Sequence, residues 1–254
     1  MSQVESALGE LEPIGLEELD EQAKLRRRVD AKYVVPDDVA AAAVRSAAAG
    51  YRALEIDGRR RFTYESVYFD TPDLRCYRDH VEGRRPRFKI RSRYYRETEA
   101  CFFEIKVKRA DDETVKRQRE YDHSDHGTIT PDARAFLEET LAELAGDGPP
   151  PDLAPSLITT YERLTLAGRE GGERATLDLA VELRSMDGRD VELRDGVVLV
   201  ETKTGEGDSR LDDELRRAGR EAMSISKYRL GVGLLLAEDP ESASAEALRS
   251  CFTG

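Results

Sequence analysis

The stretch GRRPRFKIRSRYYR, residues 83–96, carries seven Lys and Arg side chains and no acid. The chain around it is acidic, with 254 residues and a formal net charge of −12. Within the stretch, Arg87, Lys89, Arg91 and Arg93 fall on alternate positions, interleaved with Phe88, Ile90, Ser92 and Tyr94. Strand side chains alternate between faces, so this spacing predicts a strand with one basic face and one largely apolar face. Taken alone, a half-buried strand with its cations in water accounts for the pattern.

Four other segments repeat it. In 101–108, Phe102, Glu104, Lys106 and Lys108 oppose Cys101, Phe103, Ile105 and Val107. In 174–182, Arg174, Thr176, Asp178 and Glu182 oppose Ala175, Leu177, Leu179 and Val181; Glu201 pairs with Lys203, and Arg28, Asp30 and Lys32 share a face. Like charges opposite one another across strands are destabilising. A sheet that gathers them needs free screening by water or an anion to fill the face. Curling the sheet with its charged face inward supplies the second condition and predicts a polyanionic ligand.

The remaining elements fit an α+β fold, an antiparallel β-barrel with a charged interior and helices packed outside. Period-two alternation marks strands at 28–35, 62–69, 86–96, 100–108, 113–121, 157–166, 174–184, 189–194 and 196–204. Helices are expected at 37–50, opened by Asp cap residues; at 131–146, behind Thr130 and with Phe136, Leu137, Leu141 and Leu144 as a stripe; and after Ser209. A weaker helical pattern lies near 240–250. The loop GDGPPPDLAP (146–155) reads as surface loop within one domain spanning 1–254, since neither half holds a complete set of elements.

Composition excludes several classes. The acidic total argues against a general nucleic-acid surface. Three widely spaced cysteines form neither a disulfide framework nor a zinc knuckle. The acidic N-terminus lacks a signal-peptide pattern, and the apolar run at 230–237 is too short to span a bilayer, which predicts a soluble, cytoplasmic protein without a transmembrane segment. No Walker A or GxGxxG motif occurs. His80, His123 and His126 read as surface histidines, and Tyr68, Tyr77 and Tyr228 as packing or hydrogen-bonding residues.

The carboxylates narrow the ligand. Glu104, Glu201, Asp178 and Asp30 among Arg and Lys suit a hard divalent ion, Mg²⁺ or Mn²⁺, bridging phosphate oxygens. For any one of these acids, an ion pair with a neighbouring Arg is the competing reading. Arginine forks, lysines and a metal are together what phosphoryl transfer requires.

The pieces RVDAKYVVP (28–36), VYFDTPDLRCYRDHVEGRRPRFKIRSRYY (67–95), FFEIKVK (102–108), VKRQREY (115–121), TTYERL (159–164), RATLDLAV (174–181), VLVETKT (198–204) and SISKYRLG (224–231) follow one family's order. Over about residues 14–236 the chain resembles the VTC-type polyphosphate polymerase domain, a triphosphate tunnel metalloenzyme related to the CYTH triphosphatases. The resemblance implies a barrel enclosing a tunnel. Lys32 would line it near the reacting centre. Arg91 and Arg93, with Lys89, Lys106 and Lys116, would hold the triphosphate. Tyr161 and Arg163 match a YxR pair, Glu201 the metal carboxylate, and Ser226 with Lys227 the pair closing the phosphate site; Arg174 and Lys203 join the substrate face. Asp30 stands where relatives usually carry Glu.

The expected function is transfer of the γ-phosphoryl group of ATP, or another NTP, to a growing polyphosphate chain with Mn²⁺ or Mg²⁺. The alternatives are hydrolysis of inorganic triphosphate or polyphosphate, and a bare polyphosphate or RNA binder. RNA is disfavoured because Phe88 and Tyr94 lie opposite the arginine row. Arg91→Ala and Lys227→Ala are both expected to abolish turnover and leave the fold intact.

Overall fold

A computed structural model describes residues 1–22, 29–170, 172–205, 207–237 and 248–253. Arg28 and residues 240–247 of the weaker helical segment lie outside them. From the N-terminus the chain forms α1 (Gln3–Gly9), β1 (Pro13–Ile14), α2 (Leu16–Gln22), β2 (Val29–Pro36), α3 (Asp37–Ser46) and β3 (Tyr51–Leu54). Then come β4 (Phe62–Asp70), α4 (Arg75–Val81), β5 (Arg87–Tyr95), β6 (Ala100–Lys108), β7 (Thr114–Glu120) and α5 (Pro131–Ala145). The rest is β8 (Ala154–Gly168), β9 (Glu173–Ser185), β10 (Asp190–Leu193), β11 (Val197–Thr204), α6 (Arg210–Arg217), α7 (Lys227–Leu235) and β12 (Phe252–Thr253). Apart from the parallel pair β1–β3, the registered strand pairs are antiparallel, so the α+β class read from the sequence holds.

The chain folds as two compact units interleaved in sequence. The first is Met1–Phe62, Tyr161–Val181 and Leu193–Ile225; the second is Thr63–Thr160, Glu182–Glu192 and Ser226–Gly254. The loop 146–155 therefore lies inside the second unit, while β8 and β9 run through both.

In the first unit β11 lies between β2 and β9, and β3 pairs with β1 and β8. Alternation sends Tyr33, Val35, Val198, Val200, Ala175 and Leu177 to one face, where they pack with Ala40, Ala41 and Val44 of α3, Val4 and Leu8 of α1, and Leu211 and Leu215 of α6. Asp37 does not cap its own helix. The N-cap of α3 is Pro36, and the Asp37 carboxylate instead accepts from the Gln3 and Val4 backbone N–H groups, at 2.6 and 2.9 Å, tying down the start of α1.

A buried carboxylate fixes α6 to the sheet. Asp212 accepts from Tyr33 (2.8 Å), Thr202 (2.6 Å), the Ser209 hydroxyl (2.7 Å) and the Ser209 backbone N–H (2.8 Å). It thereby completes a capping box and clamps β2 beside Lys32 and β11 between Glu201 and Lys203. Four donors on one 1%-exposed carboxylate make a network whose loss strands several polar groups. Asp212→Ala is expected to cost about 2–4 kcal/mol of stability, read as a lower urea midpoint.

In the second unit β4, β5, β6 and β7 form a continuous antiparallel ladder, with β8 next to β4. The apolar face of this ladder, Phe88, Ile90, Phe103, Ile105 and Val107, is covered by Ala133, Leu137, Leu141 and Leu144 of α5. That helix starts where Thr130 accepts from Ala133 N–H with Pro131 in the first turn, and stops at Gly146 (φ 74°). Each fully buried leucine contributes about 1.5–3 kcal/mol.

Candidate functional site

The opposite face of the second unit's ladder carries the basic stretch. Cross-strand register sets Lys89 against Lys106 and Lys106 against Lys116, a row of three lysines. The next row runs Tyr68, Arg91, Glu104, Gln118, and the one beyond it Ser66, Arg93, Phe102, Glu120. Arg91 donates to Glu104 (Nε at 2.6 Å) and to the Tyr68 hydroxyl (2.9 Å), and Lys116 grips the other Glu104 oxygen. Arg93, only 8% exposed, donates to Ser66 and lies over the Tyr64 ring. Burial pushes the Glu104 carboxyl up, but Arg91, Arg93 and Lys116 outweigh it and hold it well below the usual carboxylate range.

One end of this face is finished by two short helices. Ser226 caps α7, and its hydroxyl accepts from Lys89 at 2.9 Å. Lys227 follows it and, with Arg91 and Arg93, pulls the buried Tyr68 phenol below its ordinary value against the effect of burial. Asp70 locks the arrangement: it accepts from the Cys76 and Tyr77 N–H groups at the start of α4 and from the Tyr228 hydroxyl of α7. Tyr228 stacks on Tyr68, with centroids 4.9 Å apart. At Gly231 an added Cβ would lie 2.6 Å from Leu157, so only glycine lets α7 approach this closely.

The charged face of the first unit is more evenly balanced. Lys32 lies opposite Glu201, and Asp30 opposite Lys203, which faces Arg174 on its other side. Glu201 accepts an ion pair from Lys203 at 2.8 Å and from Lys32 at 3.2 Å. Arg163 grips both oxygens of Asp178, at 2.6 and 2.8 Å, and covers the ring of the buried Tyr161. Burial opposes ionisation of Glu201, yet Lys203, Lys32 and Arg163 keep its carboxyl far below the ordinary value.

The four carboxylates read as metal ligands divide. Glu104 belongs to the second unit, and Glu201, Asp30 and Asp178 to the first. Both oxygens of Glu104 and of Asp178 are taken by cations, so the ion-pair reading describes those two side chains. Among the described residues no group of three or more His, Cys, Asp or Glu is gathered as a cage. Glu201 is likewise ion-paired, through Oε1, with Lys203 and Lys32, and Asp30 stands two register pairs away on the same face; a divalent ion there would take one or two carboxylates and complete its shell with phosphate oxygens and water.

Two lysines are tuned. Burial pushes Lys116 and Lys203 down to about 8, against the pull of Glu104 and Glu201 respectively. Above that pH the free protein has lost these charges, so binding a polyanion must recover protons. Tripolyphosphate affinity at the lysine row is expected to fall by up to about tenfold per pH unit above pH 8 through Lys116. Calorimetry at pH 7, 8 and 9 checks this; a flat profile to pH 9 would assign Lys116 the ordinary value.

The histidines depart from the sequence reading. The His126 side chain is 8% exposed, 3.3 Å from Glu65 and 3.8 Å from the Cys101 sulfur. His80 is half-buried and bonded to Arg87. Only His123 is exposed, stacked on Tyr94. Short polar surroundings in sequence point to surface, but these rings are enclosed by neighbours far along the chain.

Residues 27–236 match the family model described as the VTC domain, and the chain belongs to that family. No curated protein matches. Among solved structures, the chain is similar to a candidate adenylyl cyclase from Hippeastrum, described as having a dominant triphosphatase activity (14% identity, TM-score 0.49, 82% of this chain and 97% of that one). It is also similar to the PH1819 protein of Pyrococcus horikoshii (16%, 0.46, 83% and 99%) and to a candidate adenylate cyclase of Vibrio parahaemolyticus (15%, 0.45, 78% and 95%).

Proposed function

We propose that the protein is a metal-dependent phosphotransferase that passes the γ-phosphoryl group of ATP to the end of a polyphosphate chain. The observation that carries this reading is the register row Lys89, Lys106, Lys116, beside Arg91 and Arg93 on the same face. Three lysines placed directly across from one another repel, a cost that water screening or an anion lying over them relieves; Lys116 also meets Glu104. A chain of linked phosphates, with one negative charge or more per phosphate, matches a surface of that spacing better than a single anion does. Arg91 and Arg93 supply forked donors to the phosphate oxygens, and the Ser226 hydroxyl and Lys227 ammonium supply donors from the helix side.

The reaction needs no protein nucleophile, because a terminal phosphate oxygen is already anionic. Its attack forms the new P–O bond at the γ-phosphorus as the bond to the β-phosphate oxygen breaks and ADP leaves. The cations lower the repulsion between the two anions and neutralise charge growing on the leaving oxygen. A divalent ion held by Glu201 with Asp30 is the metal this reading assigns, and charge neutralisation is the chemistry such an ion would supply. An RNA-binding role finds little support, since on the basic face Tyr64 and Tyr68 lie buried against arginines and the half-buried Tyr95 and Phe102 pack edge to face on one another. Among the described residues no helix is long and apolar enough to cross a membrane.

Incubation with ATP and Mn²⁺ or Mg²⁺, read by polymer gel and by release of ADP and phosphate, tests the reading. Polymer and ADP are the expected products. Phosphate release from tripolyphosphate without chain growth would replace transferase by hydrolase, and no reaction with any divalent ion would overturn both.

A further inference from the structure

We propose that the Tyr68 hydroxyl is a further phosphate-binding group of the basic face, accepting from Arg91 and donating its own hydrogen to an oxygen of the phosphate that Arg91 holds. This rests on the reading of that face as a phosphate site. Tyr68 on β4 lies directly opposite Arg91 on β5, so the two side chains share the face. Arg91 Nη1 is 2.9 Å from the Tyr68 phenol oxygen. A guanidinium can only donate, so the oxygen accepts there and its hydrogen turns elsewhere. The neighbouring donor on β8, the Ser156 hydroxyl at 3.1 Å, goes to the Tyr68 backbone carbonyl and leaves the phenol alone. Among the described residues the phenol hydrogen has no acceptor. A phosphate held by Arg91 sits beside this hydroxyl, because both are anchored on one guanidinium.

The ring is fixed in that place. Arg91 lies over it, 5.7 Å from the centroid, and Tyr228 in the first turn of α7 stacks on it at 4.9 Å and 27°. The Tyr228 hydroxyl is committed to Asp70 at the end of β4, so it does not compete for the ligand. The charges that weigh most on the phenol are cations: Arg91 and Arg93 on β5 and Lys227 on α7. The carboxylates bonded to its neighbours are already engaged, Glu104 of β6 by Arg91 and Lys116, and Asp70 by Tyr228 and the start of α4. Burial pushes the phenol up, but the three cations outweigh it and bring it below its ordinary value. A phosphate seated among them offsets their field, and the donated hydrogen bond holds the proton on the oxygen. Binding therefore keeps the phenol neutral. Between its free and bound values the complex takes up a proton, and affinity falls as pH rises through that window.

Ultraviolet pH titration of the full chain, with and without inorganic tripolyphosphate, tests this alongside Tyr68→Phe. Free wild type should show one phenol ionising below the ordinary value of 10.0, and the variant should lack it. Saturating tripolyphosphate should raise that midpoint by about one pH unit or more, a tenfold preference for the neutral phenol. This shift is read in wild type and does not depend on the stability of the variant. Tyr68→Phe keeps the ring and its stacking on Tyr228, so its melting temperature should match wild type. Calorimetry at pH 7 should find its tripolyphosphate affinity lower by about three- to tenfold. Normal affinity in Tyr68→Phe, or a phenol midpoint that saturating ligand leaves unmoved, would overturn the inference and leave the phosphate site standing. No binding of tripolyphosphate to wild type would overturn the site and the inference together.

Discussion

Arg91→Ala is expected to abolish turnover and also to lower the unfolding free energy by about 3 kcal/mol. The fold is expected to stay intact, as the sequence suggests, and the partner of Arg91 adds a stability cost. Glu104 is 2% exposed, and Arg91 satisfies one of its oxygens with two guanidinium nitrogens, at 2.5 and 2.6 Å. Removing one member of a buried pair leaves an uncompensated charge, which costs more than the pair contributes relative to apolar residues. Lys116 stays on the other oxygen, which places the loss at the lower end of the usual range. The pH dependence has a definite sign. Because the Glu104 carboxyl is depressed in the folded state, its contribution is present above the unfolded value near 4.5 and is lost progressively as pH falls from there through the depressed folded value. Urea denaturation at pH 7 and about pH 2.5 should therefore show a smaller acid loss in Arg91→Ala than in wild type. Lys227→Ala is the contrast: it should lose turnover with stability changed by no more than about 0.5 kcal/mol. Equal stability of Arg91→Ala and wild type at pH 7 would contradict the ion-pair account of Glu104.

Glu201→Gln is the second change of large expected effect. It keeps the side-chain volume and removes the charge that Lys32 and Lys203 face, at 3.2 and 2.8 Å. If Glu201 holds the divalent ion, kcat/KM should fall by about 10²–10³, and the concentration of Mn²⁺ or Mg²⁺ giving half-maximal activation should rise sharply. Asp30→Asn should act in the same direction with a smaller effect, since Asp30 lies two register pairs away, opposite Lys203. Titrating activity against metal for the three proteins decides the matter. A lower maximal rate with an unchanged metal-activation curve would make Glu201 a positioning partner for the two lysines and not a metal ligand.

Much of this site was legible because the signal is local. Period-two alternation within β5, β6 and β11 assigns each charged side chain to a face without knowledge of the partner strand, and the observed strands β5 and β6 fall within a residue of the predicted ones. The Leu137, Leu141 and Leu144 stripe likewise declared the buried side of α5. What escaped depends on residues distant in sequence. Asp212 meets Tyr33 across 179 positions, and Tyr228 meets Asp70 across 158. Asp37 resembled a helix cap, but its carboxylate serves α1. The fate of Glu104 and Asp178 could not be read from alternation, because that pattern gives the face of a side chain and not which cation on that face will reach it. His80 carried a usable signal, its place seven residues before the basic strand in YRDHVEGRRPR, but only the return of the chain brings it to Arg87.

The central claim is that the lysine row on β5, β6 and β7 is a phosphate-chain site. Lys106, exposed at the middle of that row, tests it most directly. Calorimetric titration of wild type and Lys106→Ala with inorganic tripolyphosphate, at two salt concentrations, should show affinity reduced at least about tenfold in the variant. That corresponds to about 1.4 kcal/mol, accompanied by a shallower salt dependence and an unchanged melting temperature. Equal affinity and equal salt dependence in the two proteins would contradict it.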